Sequence, residues 1–295
     1  MTFSIFMAAL VSGSINGGLY ALLGIAIVLI FSTTGVANFA QGELATFGAF
    51  AMFMLVLPLG LSLPSAWLFT VALMGVLGAV IYFVIIRPRG NADHLNLAVR
   101  TLGLSGLLHA IDVLRWGSNE PYKFPSLFGA GNFALGPISV SRDQVGTLTV
   151  AIAMAACFFL FFRYTRAGLA MRAVALNREV AALQGVDVQR TNVLVWVVAT
   201  IISVVVGLLV APISFLDTGM MQPYLLKAFT AAIIGGMYSF PGVVAGGLIL
   251  GIAETLAASA TSIHVREPLA FAVLLLVLLL RPAGLFTTNK AQSRV

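Results

Sequence analysis

The chain has 295 residues, 60% hydrophobic and only 9% charged, with a net charge of +6 and a mean hydropathy of +1.05. A water-soluble domain carries about 25% charged residues, so this composition excludes one and describes a polytopic membrane protein. The basic residues sit in short loops between apolar runs, a pattern that encodes topology and is no nucleic-acid patch.

A helix needs about 20 apolar residues to cross the hydrocarbon core. Taken in chain order, candidate spans lie at 5–31, 36–57, 64–86, 95–115, 143–162, 191–215, 223–238, 241–262 and 267–281. No charge precedes Glu43, so the N-terminus lacks the basic region of a signal peptide and reads as the first span. Segment 36–57 contains NFAQGE and 223–238 is short, so either one can be broken or re-entrant. The expectation is an all-α, single transmembrane domain over 1–295 with eight or nine transmembrane helices.

Orientation follows from Lys and Arg in the loops. Arg87, Arg89 and Arg100 flank the third loop, and segment 163–190 holds Arg163, Arg166, Arg172, Arg178 and Arg190. Arg281, Lys290 and Arg294 mark the tail. Placing all of these inside predicts an N-terminus outside and a cytoplasmic C-terminus. The largest outside loop is then 116–142, extracytoplasmic, whose Pro, Gly and Asn rule out a long helix while ALGPISV can form a small hairpin. It reads as a solvated connector in preference to a landing surface for a partner. Cys157, the only cysteine, lies within a span and excludes an internal disulfide.

GVVAGGLILG (242–251) carries two small-xxx-small pairs, which let helix backbones approach closely. Interrupted apolar segments with an embedded glutamate occur near both ends, IFSTTGVANFAQGE and IIGGMYSFPGVVAGGLILGIAE, a weak inverted repeat of the kind found in repeat-built transporters.

Ionisable groups at membrane depth are functional candidates, because an unpaired one costs about 2.5–3.5 kcal/mol on insertion scales. Glu43 lies about 10 Å into its span at about 1.5 Å per residue. A hairpin turning at Ser239 and Phe240 brings Lys227 and Glu254 to similar depth near the outer face, where they can pair. His109 and Asp112, three apart on one helix face, read as a satisfied polar pair and not as metal ligands. Asn16, Tyr20, Asn38, Gln41, Thr101 and Ser105 add uncharged polarity, either lining a translocation path with Glu43 or hydrogen-bonding helices together. No phosphate-binding loop, metal motif or catalytic triad is present, so the chain is not expected to be an enzyme and carries no cofactor of its own.

Segment 163–190, RYTRAGLAMRAVALNREVAALQGVDVQR, separates two of the most apolar stretches. Asn177 is a strong N-cap, REVAALQ (178–184) a short helix with Glu179 in its first turn, and Gly185 the stop. Val180, Leu183 and Gln184 share a face, and Ala181 and Ala182 keep it low. Such a helix can sit in a groove of a cytoplasmic partner, or the basic loop can bind anionic lipid.

The sequence resembles the permease subunits of bacterial branched-chain amino acid ABC importers, in particular the first of the two permeases. The resemblance is carried by INGGLYALLGIAIVLIFSTTGVANFAQGELATFGAF (15–50), VRTLGLS (99–105), TRAGLAMRAVALNREVAALQGVDVQR (165–190), FTAAIIGGMYSFPGVVAGGLILGIAE (229–254) and RPAGLF (281–286), in that order. It implies a bacterial inner-membrane permease pairing with a second homologous permease. Two cytoplasmic ATPases, which would bind the ATP and Mg, and a periplasmic binding protein would complete the importer. It also makes 163–190 the cytoplasmic coupling loop, nominating Gly168, Arg172, Asn177, Arg178, Glu179, Ala182, Leu183 and Gly185. Where the family often has NFAHGE this chain has Gln41, which removes a titratable group beside Glu43. Two alternatives stay open: an ion-gradient-driven secondary transporter or channel, and an ABC permease for amides or urea-like solutes.

Overall fold

The computed structural model describes residues 2–87, 94–118, 120–129, 131–135, 138–281 and 284–286. Arg89, Lys290 and Arg294 lie outside the described residues, as do Gly136 and Pro137 of the expected hairpin turn. Eleven α-helices are present among the described residues: α1 Phe3–Thr34, α2 Gln41–Val56, α3 Leu63–Ile81, α4 His94–Trp116, α5 Arg142–Tyr164, α6 Arg166–Leu176, α7 Arg178–Leu183, α8 Val188–Ser214, α9 Gln222–Gly235, α10 Phe240–Ala260 and α11 Arg266–Leu280. A π-turn, Tyr82–Ile86, extends α3, and an antiparallel pair, β1 Asn132–Leu135 and β2 Ile138–Ser141, precedes α5.

By length and apolar character six helices among the described residues can cross a membrane: Phe3–Thr34, Leu63–Ile86, His94–Trp116, Arg142–Tyr164, Val188–Ser214 and Phe240–Ala260. The 16-residue α2 extends about 24 Å and the 14-residue α9 about 21 Å, both short of a core about 30 Å thick. Both follow non-helical backbone at the positions where the sequence carries Gly, Asn or Pro.

The helices divide between two compact units, Met1–Val28 with Ser126–Met154 and Pro223–Val295, and Leu29–Pro125 with Ala155–Gln222. In the first unit α10 packs on α1 and α9 through its two glycine pairs. Gly247 and Gly251 meet the backbone of α1 at Gly17, and Gly242 and Gly246 meet α9 at Gly235 and Ala231. A Cβ on Gly17 would lie 2.8 Å from the Gly247 carbonyl oxygen, so only bare backbone permits this approach. Ser239 caps α10, its Oγ accepting from Gly242 N at 3.2 Å. The last carbonyls of the short α9 find a donor in the tail, where Leu285 N donates to Ile234 O at 2.8 Å. A helix ending in apolar surroundings requires such a partner. The hairpin of β1 and β2 also belongs to this unit, and beside it Asp143 accepts from Ser126 Oγ at 2.9 Å and Phe128 N at 3.1 Å.

In the second unit α8 packs against α2, α3, α6 and α7. It is apolar on nearly every side, as a helix surrounded by other helices must be. Phe50 stacks on Trp116 at 4.8 Å and Phe53 meets Tyr122 at 5.3 Å. Tyr122 pairs with Leu216 just beyond α8. Phe215, which ends α8, holds φ at 63°, the only positive φ outside glycine among the described residues.

Candidate functional site

Segment 163–190 folds as the end of α5, two short helices and the first turn of α8. Thr165 caps α6, its Oγ1 accepting from Gly168 N at 3.0 Å and donating to Phe161 O at 2.6 Å. Gly168 lies against the end of α5, where a Cβ would stand 2.5 Å from Phe161 O and 2.6 Å from Phe162 Cα. Met171 and Val174 share the buried face of α6, which packs on α8. Arg172 turns inward: its Nη2 donates to Arg163 O at 3.1 Å and its guanidinium lies 5.8 Å from the Phe162 ring. It fastens α6 to the carbonyl end of α5, where a cation is favoured.

Asn177 closes α6 and opens α7, its Oδ1 accepting from Glu179 N and Val180 N, both at 3.0 Å. The helix ends at Leu183, one residue before the sequence-based limit, because Gln184 has left helical geometry. Gly185 takes φ +84° and donates to Ala182 O, while Val186 N donates to Ala181 O at 3.0 Å. This paired closure is the Schellman motif, which needs glycine at the left-handed position. Asp187 then caps α8 by accepting from Arg190 N at 3.0 Å, a start signal that the sequence reading passed over although Asp is a preferred N-cap. Ala181 is the buried anchor of α7, whereas Ala182 is exposed with Arg178, Glu179 and Gly185. Leu183 is 86% exposed and Val180 51%. Six helical residues, locked at both ends, thus present an aliphatic tip between two long apolar helices.

The polar candidates divide between the units. In the first, Lys227 Nζ lies 2.6 Å from Glu254 Oε1, and Tyr20 donates to Glu254 Oε2 at 3.3 Å. The ammonium also sits 5.6 Å from the Tyr20 ring. All three are buried, and Asn16 is half-buried.

In the second unit Asn38 and Gln41 are fully buried. Asn38 Nδ2 donates to Gln41 Oε1 at 2.6 Å, and Gln41 Nε2 donates to Ala199 O at 2.9 Å and Ser203 Oγ at 2.5 Å. Asn38 Oδ1 also accepts from Ala40 N, so the broken entry to α2 is tied to α8 through two carboxamides. Both N–H donors of Gln41 are used, which a neutral histidine with one N–H cannot reproduce. Thr101 Oγ1 donates to Ala98 O at 2.9 Å within α4, and Ser105 is half-buried.

The expected His109–Asp112 pair does not form. Glu43 of α2 lies against that face of α4, and its Oε2 stands 3.4 Å from His109 Nδ1. Asp112 is left one turn along, fully buried, with neither carboxylate oxygen hydrogen-bonded. Spacing on one helix could not reveal this, because the competing acid arrives from another helix. Among the described residues no three His, Cys, Asp or Glu side chains group to hold a metal.

Residues 9–280 match the family model described as a branched-chain amino acid transport system permease component. The chain is 32% identical over 303 aligned positions to the high-affinity branched-chain amino acid transport system permease protein LivH of Escherichia coli K12, covering 96% of each chain. It is 28% identical over 296 positions to the corresponding permease BraD of Pseudomonas aeruginosa, covering 95% of each. In fold it is similar to a solved structure described as an inward-facing metal-chelate type ABC transporter, with a TM-score of 0.53 at 18% identity, covering 95% of this chain and 88% of that one. A match across nearly the full length of both partners makes this a multi-pass membrane permease component and not an enzyme. The chain belongs to the family of branched-chain amino acid transport permeases.

Proposed function

We propose that the chain is the membrane-spanning subunit of an ATP-driven importer in the bacterial inner membrane, passing branched-chain or other hydrophobic amino acids handed over by a periplasmic binding protein. The observation that carries this reading is α7: a short, doubly capped helix with an exposed Leu183, set between α6 and α8 in a family of transport permeases. An aliphatic side chain exposed on a rigid basic segment fits a groove in a cytoplasmic ATPase. Gly168, Arg172 and Asn177 shape the segment, Gly185 ends it, and Arg178, Glu179, Ala182 and Leu183 form the surface offered. ATP and Mg belong to two such ATPase subunits, and a second, homologous permease completes the pathway.

In this reading the N-terminus is outside and α7 and the C-terminus are cytoplasmic. Segment 116–142 is extracytoplasmic and 163–190 is the coupling loop. The two units make one permease domain, with α2 and α9 as the interrupted members of an inverted repeat and eight or nine crossings in all. Asn16, Tyr20, Asn38, Gln41, Glu43, Thr101 and Ser105 lie on or behind the path, and Lys227 with Glu254 holds the outer part of α9 and α10 together. A gradient-driven transporter acting alone would leave α7 without a role.

The test is Leu183→Asp in the reconstituted importer. The substitution places an uncompensated carboxylate in the docking face, which costs about 2–5 kcal/mol of association when the charge is buried without a partner. ATP-dependent leucine uptake should be lost while the helices still insert and the ATPases retain basal hydrolysis. Uptake at the unmodified rate, or gradient-driven uptake by the isolated chain without ATP, refutes the reading.

A further inference from the structure

We propose that the corner between α5 and α6 holds an anionic phospholipid, whose phosphodiester meets Arg163 and Arg166 while its acyl chains lie along α5. The last turns of α5 carry two unlike faces. On the inner one Phe158 stacks on Phe162 at 5.6 Å, and Arg172 reaches over from α6 to lie 5.8 Å from the Phe162 ring. On the outer one Phe159, Leu160, Arg163 and Tyr164 are all exposed. At 3.6 residues per turn these four occupy an arc of about 140°. The Arg163 guanidinium folds over both outer rings, 5.9 Å from Phe159 and 5.4 Å from Tyr164. Phe159 belongs to a helix long and apolar enough to cross a membrane, so a cation resting on its ring stands at the edge of the hydrocarbon, at headgroup depth. Tyr164, 71% exposed, is a residue type that anchors at this boundary.

The chain does not neutralise this charge. Among the described residues neither Arg163 nor Arg166 takes part in an ion pair. No acid occurs in the sequence between Asp143, at the far end of α5, and Glu179 in α7. Arg166 is exposed and opens α6, at most about 11 Å along the backbone from Arg163, so the positive end of that helix adds to the field. The corner is fixed before anything binds: Thr165 Oγ1 accepts from Gly168 N and donates to Phe161 O, and Arg172 Nη2 holds the Arg163 carbonyl at 3.1 Å. A soluble acidic protein could meet the arginines but could not cover Phe159 and Leu160 within the hydrocarbon. A neutral lipid would cover those side chains and leave the guanidinium groups without a counter-charge. An anionic phospholipid does both, because a phosphate accepts two parallel hydrogen bonds from one guanidinium and basic groups at the surface attract such lipids. The proposal rests on α5 spanning the membrane, and it is independent of the solute carried and of the partner that meets α7.

Native mass spectrometry of the purified full chain, titrated in detergent with phosphatidylglycerol or with phosphatidylcholine of the same acyl chains, tests it. The wild-type chain should retain phosphatidylglycerol in clear preference to phosphatidylcholine. Arg163→Gln combined with Arg166→Gln should lower that preference about 30-fold. Arg190→Gln should leave it unchanged, since Arg190 already pairs with Asp187 at 2.9 Å and lies away from the corner in sequence. Equal retention of the two lipids by the wild-type chain overturns the proposal, as does an undiminished preference in the double variant. A fall as large in Arg190→Gln also overturns it, because net charge and not the corner would then be responsible. If the double variant does not fold, Arg163→Gln alone decides, with a fall of about fivefold expected.

Discussion

Lys227 and Glu254 are held 2.6 Å apart with 8% and 2% of their side chains exposed. A buried pair of this kind stabilises little against well-packed apolar residues, but breaking it strands a charge. Lys227→Met and Glu254→Leu should each lower stability by about 3–5 kcal/mol, and the double substitution should recover most of that loss. Thermal unfolding of the three variants in detergent checks this; equal losses in the single and double variants would remove the pair as the cause. Gly168 is a second residue whose reason is local and steric. Gly168→Ala puts a methyl into the α5 backbone and should cost about 1–3 kcal/mol, read the same way. The sequence offered Lys227 and Glu254 as partners because a hairpin turn brings them level. It offered His109 and Asp112 on equally sound spacing, and that pair is replaced by His109 with Glu43. The difference is that α9 and α10 are joined by a tight turn, whereas α2 and α4 are brought together only by the packing of the unit.

At the scale of elements, α7 is defined almost wholly by its ends. Six residues form too short a helix to persist alone, since nucleation consumes most of its hydrogen bonds. Asn177 supplies two acceptor contacts at one end and Gly185 the left-handed exit at the other. Asn177→Ala should cost about 1 kcal/mol of local stability and speed amide exchange at Glu179 and Val180, leaving exchange within α8 unchanged. Gly185→Val imposes a β-branched residue at φ +84° and should weaken uptake through a displaced Leu183, although Leu183 itself is intact. Uptake by Gly185→Val equal to wild type would show that the docking surface tolerates disorder in its exit. The cap and stop were legible because they are chemical signals of single residues. Ala181 as anchor and Ala182 as surface were not, since two adjacent alanines differ only in which way α8 lies.

At the scale of the whole chain, composition and the order of apolar runs sufficed for a polytopic, mostly helical membrane protein; that it is a permease came from the resemblance of its motifs, and the family match over residues 9–280 agrees. The orientation proposed for it predicts that a cysteine at Leu183, in a background lacking Cys157, reacts with a membrane-impermeant maleimide only from the cytoplasmic side; labelling of intact cells would reverse the topology. The apolar runs, the Asn177 cap and the Gly185 stop came from the sequence alone because hydrocarbon thickness and backbone satisfaction act locally along the chain, although the Asp187 cap was missed and α2 proved shorter than its run. Only the tertiary structure decided that Gln41 bonds α8, that Arg172 turns inward and that Glu43 displaces Asp112 as the partner of His109. It also decided that the two glycine pairs of α10 serve different neighbours. These choices depend on which helices meet, and in a chain that is apolar on almost every face, hydrophobicity does not discriminate among partners.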